Sequence, residues 1–257
     1  MPTSPVSNAH DDSATGVRQR NTGFGRWLDH WYFPGIAVVM IAITIAGFAP
    51  SIVDPSRRLA PLTPLATVHG ILFFLWLLLF LLQTTLIAGR RADMHRRMGI
   101  AAVALLIVIV PLSYVVTVQM VRRGFDLSGD QMTRADPLFG SIFNFVAAIE
   151  FPVMAGAALA FRGRKEIHRR LMLFTNIMLM EVPITHLLGH IGFLLPFTVL
   201  AGEALFLLSA VAWDYLTSRR VHPLTAFLAI SLFLLLPIQG FAGTTTAWHH
   251  FALWLTR

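Results

Sequence analysis

The sequence predicts an all-α protein that crosses a membrane seven times as a single helical bundle. Its mean hydropathy is +0.67 and 56% of its 257 residues are hydrophobic, which is more than a soluble domain needs. Its apolar stretches are each long enough to cross about 30 Å of hydrocarbon as a helix. The bundle accounts for the length, so we expect one membrane domain over 25–257 after a disordered cytoplasmic tail over 1–24.

The spans follow one another with short connections. Trp27, Trp31 and Tyr32 precede the first span, and these residue types favour the boundary between lipid and water. A tight turn near 194–196 joins the fifth span to the sixth, and a short amphipathic tail follows the seventh. In chain order, the predicted spans cover 33–53, 65–88, 99–121, 139–161, 171–192, 197–216 and 224–242.

Arginine dominates the formal net charge of +7, and Lys165 is the only lysine. The basic residues lie between the spans, so they indicate membrane orientation and contact with lipid headgroups rather than nucleic-acid binding. Fourteen of the twenty fall on the side of the N-terminal tail and of the loops after spans two, four and six. The positive-inside rule therefore predicts a cytoplasmic N-terminus and an external C-terminus. The lack of cysteine excludes thiolate metal sites, iron–sulfur clusters and disulfides.

Two loops resemble each other. GRRADMHRRM over 89–98 matches GRKEIHRRL over 163–171, and the span after each loop contains a proline, Pro111 or Pro183. Spans two-three and four-five are therefore predicted to be two copies of a helical hairpin, related by an axis along the membrane normal. Coincidence is the alternative, because basic cytoplasmic loops tend to look alike.

The fifth span carries an unusual polar set: Asn176, Glu181, Pro183, His186 and His190. A lipid-facing helix would leave those groups without hydrogen-bond partners. At 100° per residue, all of them except Glu181 fall on one face. That face is predicted to look into the protein.

A layer of polar residues is predicted near the outer ends of the spans. His186 and His190 are four residues apart on one helical face, and His69 lies at a similar depth on span two. Imidazoles bind metals, and histidines from two helices can ligate haem iron, so these three are the predicted ligands of haem b or a divalent metal, with Glu203 as a further metal ligand. Hydrogen bonding between helices without any cofactor, at about 0.6–2 kcal/mol per bond, is the alternative. The predicted supporting residues are Asn144, Trp76, Gln83 and Asn176.

A second group lies deeper. Glu150 and Glu181 each stand two residues before a proline, mid-span on antiparallel neighbours. An ionised glutamate at that depth is expensive, so at least one is expected to carry a proton. The functional hypothesis is a proton relay or a cation site, and the alternative is a protonated pair that bonds backbone freed by the prolines. On an ideal helix Glu181 points about 140° from His186, and it joins the histidine layer only if Pro183 disturbs the helix.

Two His-Arg-Arg triplets lie at the inner ends of spans three and five. They are predicted to bind an anion or a lipid headgroup, with simple interfacial anchoring as the alternative. The residues are His95, Arg96, Arg97, His168, Arg169 and Arg170.

These motifs carry a resemblance. The run from His69-Gly70 through Trp76 and Gln83 to the HRRMG segment at 95–99 resembles an uncharacterised group of bacterial multi-pass membrane proteins, and HRRLM at 168–172 is similar to a segment of small cytochrome oxidase assembly proteins. Histidines at the ends of a four-helix core are similar to cytochrome b561-type proteins. That resemblance implies a bacterial inner membrane, a redox or oxidase partner, and an outer haem between His69 and His186 or His190. It also implies an inner haem near His95 and His168, although these lie in basic loops and spans three and four embed no histidine.

Three functions are consistent with these patterns. The first is a haem or metal protein for electron transfer or oxidase-related chemistry. The second is a carrier or sensor for a small ligand or a proton, without a cofactor, and the third is a membrane assembly factor. Each has the lipid bilayer as its surroundings and no nucleic-acid partner. No motif decides whether the protein is an enzyme.

Overall fold

The computed structural model describes residues 23–58, 61–123 and 136–257, which are helical almost throughout and contain no β-strand. Seven helical segments of this described part are long and apolar enough to cross a membrane, which confirms the predicted all-α, seven-span fold. In chain order the helices are α1 (Gly23–Val53), α2 (Pro64–Ala88), α3 (Ala92–Arg123), α4 (Pro137–Ala160), α5 (Lys165–Ile177), α6 (Glu181–His190), α7 (Pro196–Ser218), α8 (Pro223–Gly243) and α9 (Thr246–Leu255).

Three helices begin well before their predicted spans, and one of them is α5, which begins at Lys165 instead of residue 171. α1 begins at Gly23 instead of residue 33, and α3 begins at Ala92 instead of residue 99. The apolar pattern marks only the part of a helix that lies in lipid, whereas the helix itself continues into the polar boundary. Trp27 and Trp31 are exposed on this extension of α1. Apart from its last two residues, the tail predicted as disordered over 1–24 lies outside the described residues.

Successive spans run in opposite directions, so the connections between them lie at two opposite ends of the bundle. The basic end holds the start of α1 and the connections at 89–91, 161–164 and 219–222. The far end holds the connections from α1 to α2, α3 to α4, α6 to α7, and α8 to α9. The two predicted hairpins, α2 with α3 and α4 with α5, both pack as neighbouring helices. Their origin from one repeated unit stays a prediction.

The fifth span occupies the centre of the bundle. It consists of α5, a short 3₁₀ turn and α6, and 61% of its apolar stretch is buried, against 22–39% for the other spans. α5 packs on α4, α7 and α8, while α6 packs on α1 and α7. The other helices therefore enclose this span, as its polar pattern leads one to expect.

The centre of the fifth span is broken. α5 ends at Ile177, residues Met178–Met180 form a 3₁₀ turn, and α6 begins at Glu181. Pro183 lies in the first turn of α6, where its missing N–H removes no helical hydrogen bond of α6. The hydroxyl of Thr185 donates to the carbonyl oxygen of Glu181 at 2.8 Å. Because of this break, the side chain of Glu181 need not point in the direction expected for an ideal continuous helix.

Glycines on two neighbouring helices allow close approach to α6. A Cβ atom added at Gly47 of α1 would lie 2.5 Å from the carbonyl oxygen of Pro183, and one added at Gly202 of α7 would lie 2.8 Å from Ile184. Small residues at such contacts let helices pack closely in a membrane, where van der Waals contact drives association. α6 is therefore held between α1 and α7 just beyond the break.

The chain ends in a short helix at the far end. The indole Nε1 of Trp248 on α9 donates to the carbonyl oxygen of Leu138 on α4 at 2.8 Å. The Trp248 ring also packs against Phe145, with centroids 5.6 Å apart. The hydroxyl of Thr245 accepts from the backbone N–H of Trp248 and caps the start of α9. α9 is thereby fastened to the first turns of α4.

Candidate functional site

A small cavity lies inside the bundle where α4, α6, α7 and α8 meet. Glu150 from α4, Glu181 from α6, Glu203 from α7 and Gln239 from α8 line it. The rest of its wall is almost entirely hydrocarbon: Phe143, Ala147, Met178, Leu232, Leu235 and Leu236. Its volume of about 20 Å³ gives room for one water-sized species. We call these four polar residues the carboxyl cluster.

Glu203, Gln239 and Glu181 lie closer to the far end than to the basic end, whereas Glu150 lies near the middle of α4. With a rise of about 1.5 Å per residue, Glu203 lies about 10 Å from the start of α7 and Gln239 about 6 Å from the end of α8. Glu203 is 4% exposed and Gln239 is 7% exposed, while Glu150 and Glu181 are partly buried. The cluster therefore combines acidic groups with a largely apolar wall.

Two irregularities bring the glutamates together. The 3₁₀ turn before Glu181 directs its side chain to the cavity, and Glu150 leaves α4 beside Phe151 and Pro152. Phe151 anchors this part of α4 by packing edge-on against Trp76 of α2, with centroids 5.1 Å apart. The two glutamates predicted as a relay thus line one cavity.

Glu203 joins this pair instead of the histidine layer with which its depth alone associated it. Its carboxyl group lines the same cavity as Glu181 and Glu150. Carboxylates that line one cavity repel one another when they are ionised, and hydrocarbon surroundings penalise each charge. The arrangement therefore favours states in which protons replace some of these charges.

Gln239 supplies an independent sign that this cavity needs a hydrogen-bond donor. Its side-chain oxygen is buried and has no hydrogen-bond partner among the described residues. An ionised carboxylate only accepts hydrogen bonds, whereas a protonated carboxyl donates one. A proton on a neighbouring glutamate, or a water that fills the cavity, would satisfy this amide oxygen.

The three histidines predicted to form a layer lie in helical turns near the far end, and two of them contact aromatic rings. His186 lies against Phe48 of α1 with ring centroids 4.5 Å apart, and His69 lies against Phe73 at 4.7 Å. Both histidines make further interactions within the bundle. His190 has both ring nitrogens buried without a hydrogen-bond partner in the described part of the chain.

Asn144, predicted to support that layer, faces α3 instead. Its amide nitrogen donates to the carbonyl oxygen of Gly140 at 3.3 Å and contacts the sulfur of Met120 at 3.1 Å. Of the other supporting residues, Trp76 and Asn176 are buried and Gln83 is half-buried. Asn176 donates to the carbonyl oxygen of Met172 at 2.7 Å. These residues are interior, and their support of a cofactor stays a prediction.

The described residues offer little to a metal ion. They contain no group of three or more histidine and carboxylate side chains arranged to hold one. Haem needs only two imidazoles on opposite faces of the macrocycle, and the phenyl rings that lie tilted against His69 and His186 lend that arrangement no support. Both cofactor hypotheses stay predictions, and neither group enters the chemistry proposed below.

At the basic end the structure brings the two predicted inner histidines together. The rings of His95 and His168 lie 6.3 Å apart, and Nδ1 of His168 bonds the carbonyl oxygen of Ala158 at 2.7 Å. Arg96 is exposed and pairs with Asp93. Arg97 is also exposed, so an anion or headgroup can reach it, and that binding site stays a prediction.

Arg169 and Arg170 are already paired with carboxylates. Arg170 is 3% exposed and donates to Asp214, to Thr225 at 3.0 Å and to the carboxylate of Glu166 at 2.8 Å. Asp214 is fully buried and also accepts from the hydroxyl of Thr225 at 2.7 Å. Arg169 pairs with Glu166 at 2.5 Å and with Asp29 of α1 at 3.0 Å. We call this group the Arg170 network.

Trp213 forms the apolar side of the Arg170 network. The guanidinium groups of Arg169 and Arg170 lie 4.8 and 5.3 Å from the centre of its ring, within range of cation–π attraction. Tyr32 of α1 stacks on the same ring at 5.4 Å and shares a 2.9 Å hydrogen bond with Ser209. The network therefore ties α1, α5, α7 and α8 together at the basic end.

Sequence reasoning missed Gln239, Asp214 and the partners of Arg170. Gln239 is the only amide in an otherwise almost wholly apolar span, and Asp214 shares span six with just one other acidic residue, Glu203. An embedded ionisable or amide group is itself a signal in a membrane helix. That signal identifies the residues as interior, although it does not identify their partners.

Comparison with known proteins adds no relative. No family model matches the chain, and no match was found among the curated proteins or the solved structures. The candidate site therefore rests on the chemistry of this chain's own residues.

Proposed function

We propose that this chain is a proton-coupled membrane protein, a carrier or sensor in which the carboxyl cluster binds and releases a proton. The observation that carries the proposal is the meeting of three glutamates from three spans around one water-sized cavity. Carboxyl groups buried in a membrane interior mark proton or ion paths in general. The unpartnered oxygen of Gln239 adds a group that a protonated carboxyl would satisfy.

The size and chemistry of the cavity support a proton over a larger ligand. A volume of about 20 Å³ is far below the several hundred Å³ of typical small-molecule pockets. Its polar lining offers only carboxyl and amide groups, which exchange protons or accept hydrogen bonds. The site thus favours the proton-coupled form of the second function predicted from the sequence.

The orientation of the protein in the membrane is part of the proposal. With the basic end in the cytoplasm, as the distribution of arginines favours, Glu203, Gln239 and Glu181 lie closer to the external face. A proton would then reach Glu203 and Gln239 over a short distance from outside, past the first turns of α7 and the last turn of α8.

Infrared spectroscopy of the purified protein tests the proposal. Protonated carboxyl groups in apolar surroundings have their own C=O stretching band, which disappears on ionisation. We expect this band at neutral pH, and we expect it to weaken in Glu150→Gln, Glu181→Gln and Glu203→Gln. Asp54→Asn, which removes an exposed carboxylate in the α1–α2 connection, is the matched control and should leave the band unchanged. A band that is missing, or that none of the three glutamine variants alters, would overturn the proposal.

A further inference from the structure

We propose that His249 and Asp136 form the entrance through which protons reach the carboxyl cluster from the far end, along the seam between α4 and α8. This inference rests on the proposed proton-binding function and adds its route. The two residues come from α9 and from the cap of α4, so the entrance depends on the terminal helix. Neither residue belongs to the cavity wall.

The contacts of His249 place it at the far-end terminus of α8, the helix that carries Gln239. Its Nε2 donates to the carbonyl oxygen of Gly243 at 2.9 Å and lies 3.7 Å from a carboxylate oxygen of Asp136. Gly243 ends α8, one helical turn beyond Gln239, which is about 6 Å along the helix axis. Gln239 therefore stands between His249 and the three glutamates.

The imidazole is in a suitable state to accept a proton. Because a backbone carbonyl only accepts hydrogen bonds, Nε2 of neutral His249 must carry the hydrogen, which leaves Nδ1 with a free lone pair. The side chain of His249 is 29% exposed and that of Asp136 is 49% exposed, so both meet the aqueous boundary. Asp136 is the charged group nearest to the ring of His249 among the described contacts.

The seam above the cavity admits little more than a proton. A Cβ atom added at Gly243 would lie 3.0 Å from the ring of Phe139 and 3.2 Å from Ile142, so α8 and α4 are in close contact there. Phe139 packs edge-on against Phe143, which forms part of the cavity wall. A proton can pass along transient hydrogen bonds through such a contact, whereas a hydrated cation has no space.

The transfer is a simple proton exchange. Hydronium gives a proton to Nδ1 of neutral His249 and becomes water. The imidazolium releases its Nε2 proton to a water molecule that enters the seam when α4 and α8 transiently separate, and that water passes a proton to a carboxylate of Glu203, Glu181 or Glu150. The net change is one proton lost from solution and one O–H bond formed in the cluster, without oxidation or reduction.

A pH-jump experiment tests the entrance. The protein is reconstituted in liposomes, and the infrared carboxyl band is followed after rapid acidification. We expect His249→Gln to slow the change by more than about tenfold, since a positioned acid–base group typically contributes at least that much. The equilibrium titration and the melting temperature should stay as in wild type, and added imidazole should restore the rate. His250→Gln, which replaces the exposed neighbouring histidine, is the matched control and should react at the wild-type rate.

Asp136→Asn provides a second variant with an intact helix. Its side-chain oxygen can still accept from the N–H of Leu138 and cap α4, so the fold is retained while the charge beside His249 is lost. We expect slower exchange than in wild type. Wild-type rates in both His249→Gln and Asp136→Asn, with a normal carboxyl titration, would overturn the entrance alone. A wild-type protein without any titrating carboxyl band would overturn the proposed function and the entrance together.

Discussion

Gly47 of α1 lies directly against the carbonyl group of Pro183 in α6, and a Cβ atom at position 47 would stand 2.5 Å from that oxygen. The contact occurs two residues after the start of α6, just beyond the break that directs Glu181 into the cavity. Packing of α1 against the broken span therefore helps to fix the geometry of the carboxyl cluster. A substitution that disturbs this contact should therefore alter the geometry of the carboxyl cluster.

Gly47→Ala should lower the free energy of unfolding by about 1–3 kcal/mol, because the added methyl group meets backbone that cannot move aside easily. Gly35→Ala is the matched control on the same helix, since nothing lies within 4 Å of the added Cβ there. Thermal unfolding in detergent, followed by tryptophan fluorescence, measures both. Equal melting temperatures for the two variants would contradict the close approach of α1 and α6.

Arg170→Met should destabilise the protein by about 3–5 kcal/mol, because it leaves the fully buried Asp214 without its cationic partner. Arg96→Met removes an arginine from an exposed pair and should change stability by no more than about 1 kcal/mol. Replacing both members of the buried pair, as in Arg170→Met with Asp214→Leu, should recover much of the loss, because no buried charge remains unpaired. Denaturant or thermal unfolding checks all three variants. A double variant no more stable than Arg170→Met alone would contradict direct coupling of the pair.

The chain contains no cysteine, so single cysteines report its orientation without background. Gly163→Cys lies in the exposed α4–α5 connection at the basic end, and Ala247→Cys is exposed near the start of α9 at the far end. A membrane-impermeant maleimide added to intact cells that express the protein should label Ala247→Cys alone. Gly163→Cys should react only after the cells are permeabilised. The reverse pattern would contradict the proposed cytoplasmic basic end.

Removal of metal should leave proton binding by the carboxyl cluster unchanged. The cavity lining contains no histidine, so the proposed proton binding requires only carboxyl and amide groups. Infrared titration of the protein before and after dialysis against a chelator should give the same curve. A titration that collapses on chelation, or a Soret band that is lost in His69→Ala, would instead favour the metal or haem hypothesis.

The sequence predicts which segments are helical better than it predicts which face each helix turns toward its neighbours. Apolar length identifies the spans, and the polar residues of the fifth span predict its interior position correctly. Depth along the chain also brings Glu150 and Glu181 to one level. It associates Glu203 with the histidines as well, because depth does not say which way α7 turns its side chains.

The rotation of each helix about its own axis depends on its contacts with other helices. These contacts have little effect on the hydropathy pattern of the sequence. In a membrane, both the lipid-facing and the protein-facing sides of a helix are apolar, so the pattern does not separate them as it does in water. The contact at Gly202 with Ile184 fixes how α7 meets α6, and thereby sets the face on which Glu203 lies. Gln239 and Asp214 were overlooked for the same reason, since their partners are on other helices.

The titration of the carboxyl cluster tests the central claim most directly. If the three glutamates share one cavity, their protons come off as a coupled set, and each substitution changes the titration of the groups that remain. In Glu150→Gln, we expect the carboxyl groups of Glu181 and Glu203 to ionise more readily than in wild type, because a negative neighbour has been removed. Infrared titration of wild type, Glu150→Gln and Glu203→Gln measures this coupling. If each variant merely loses the contribution of one residue and the remaining curve is unchanged, the glutamates act independently and the account is contradicted.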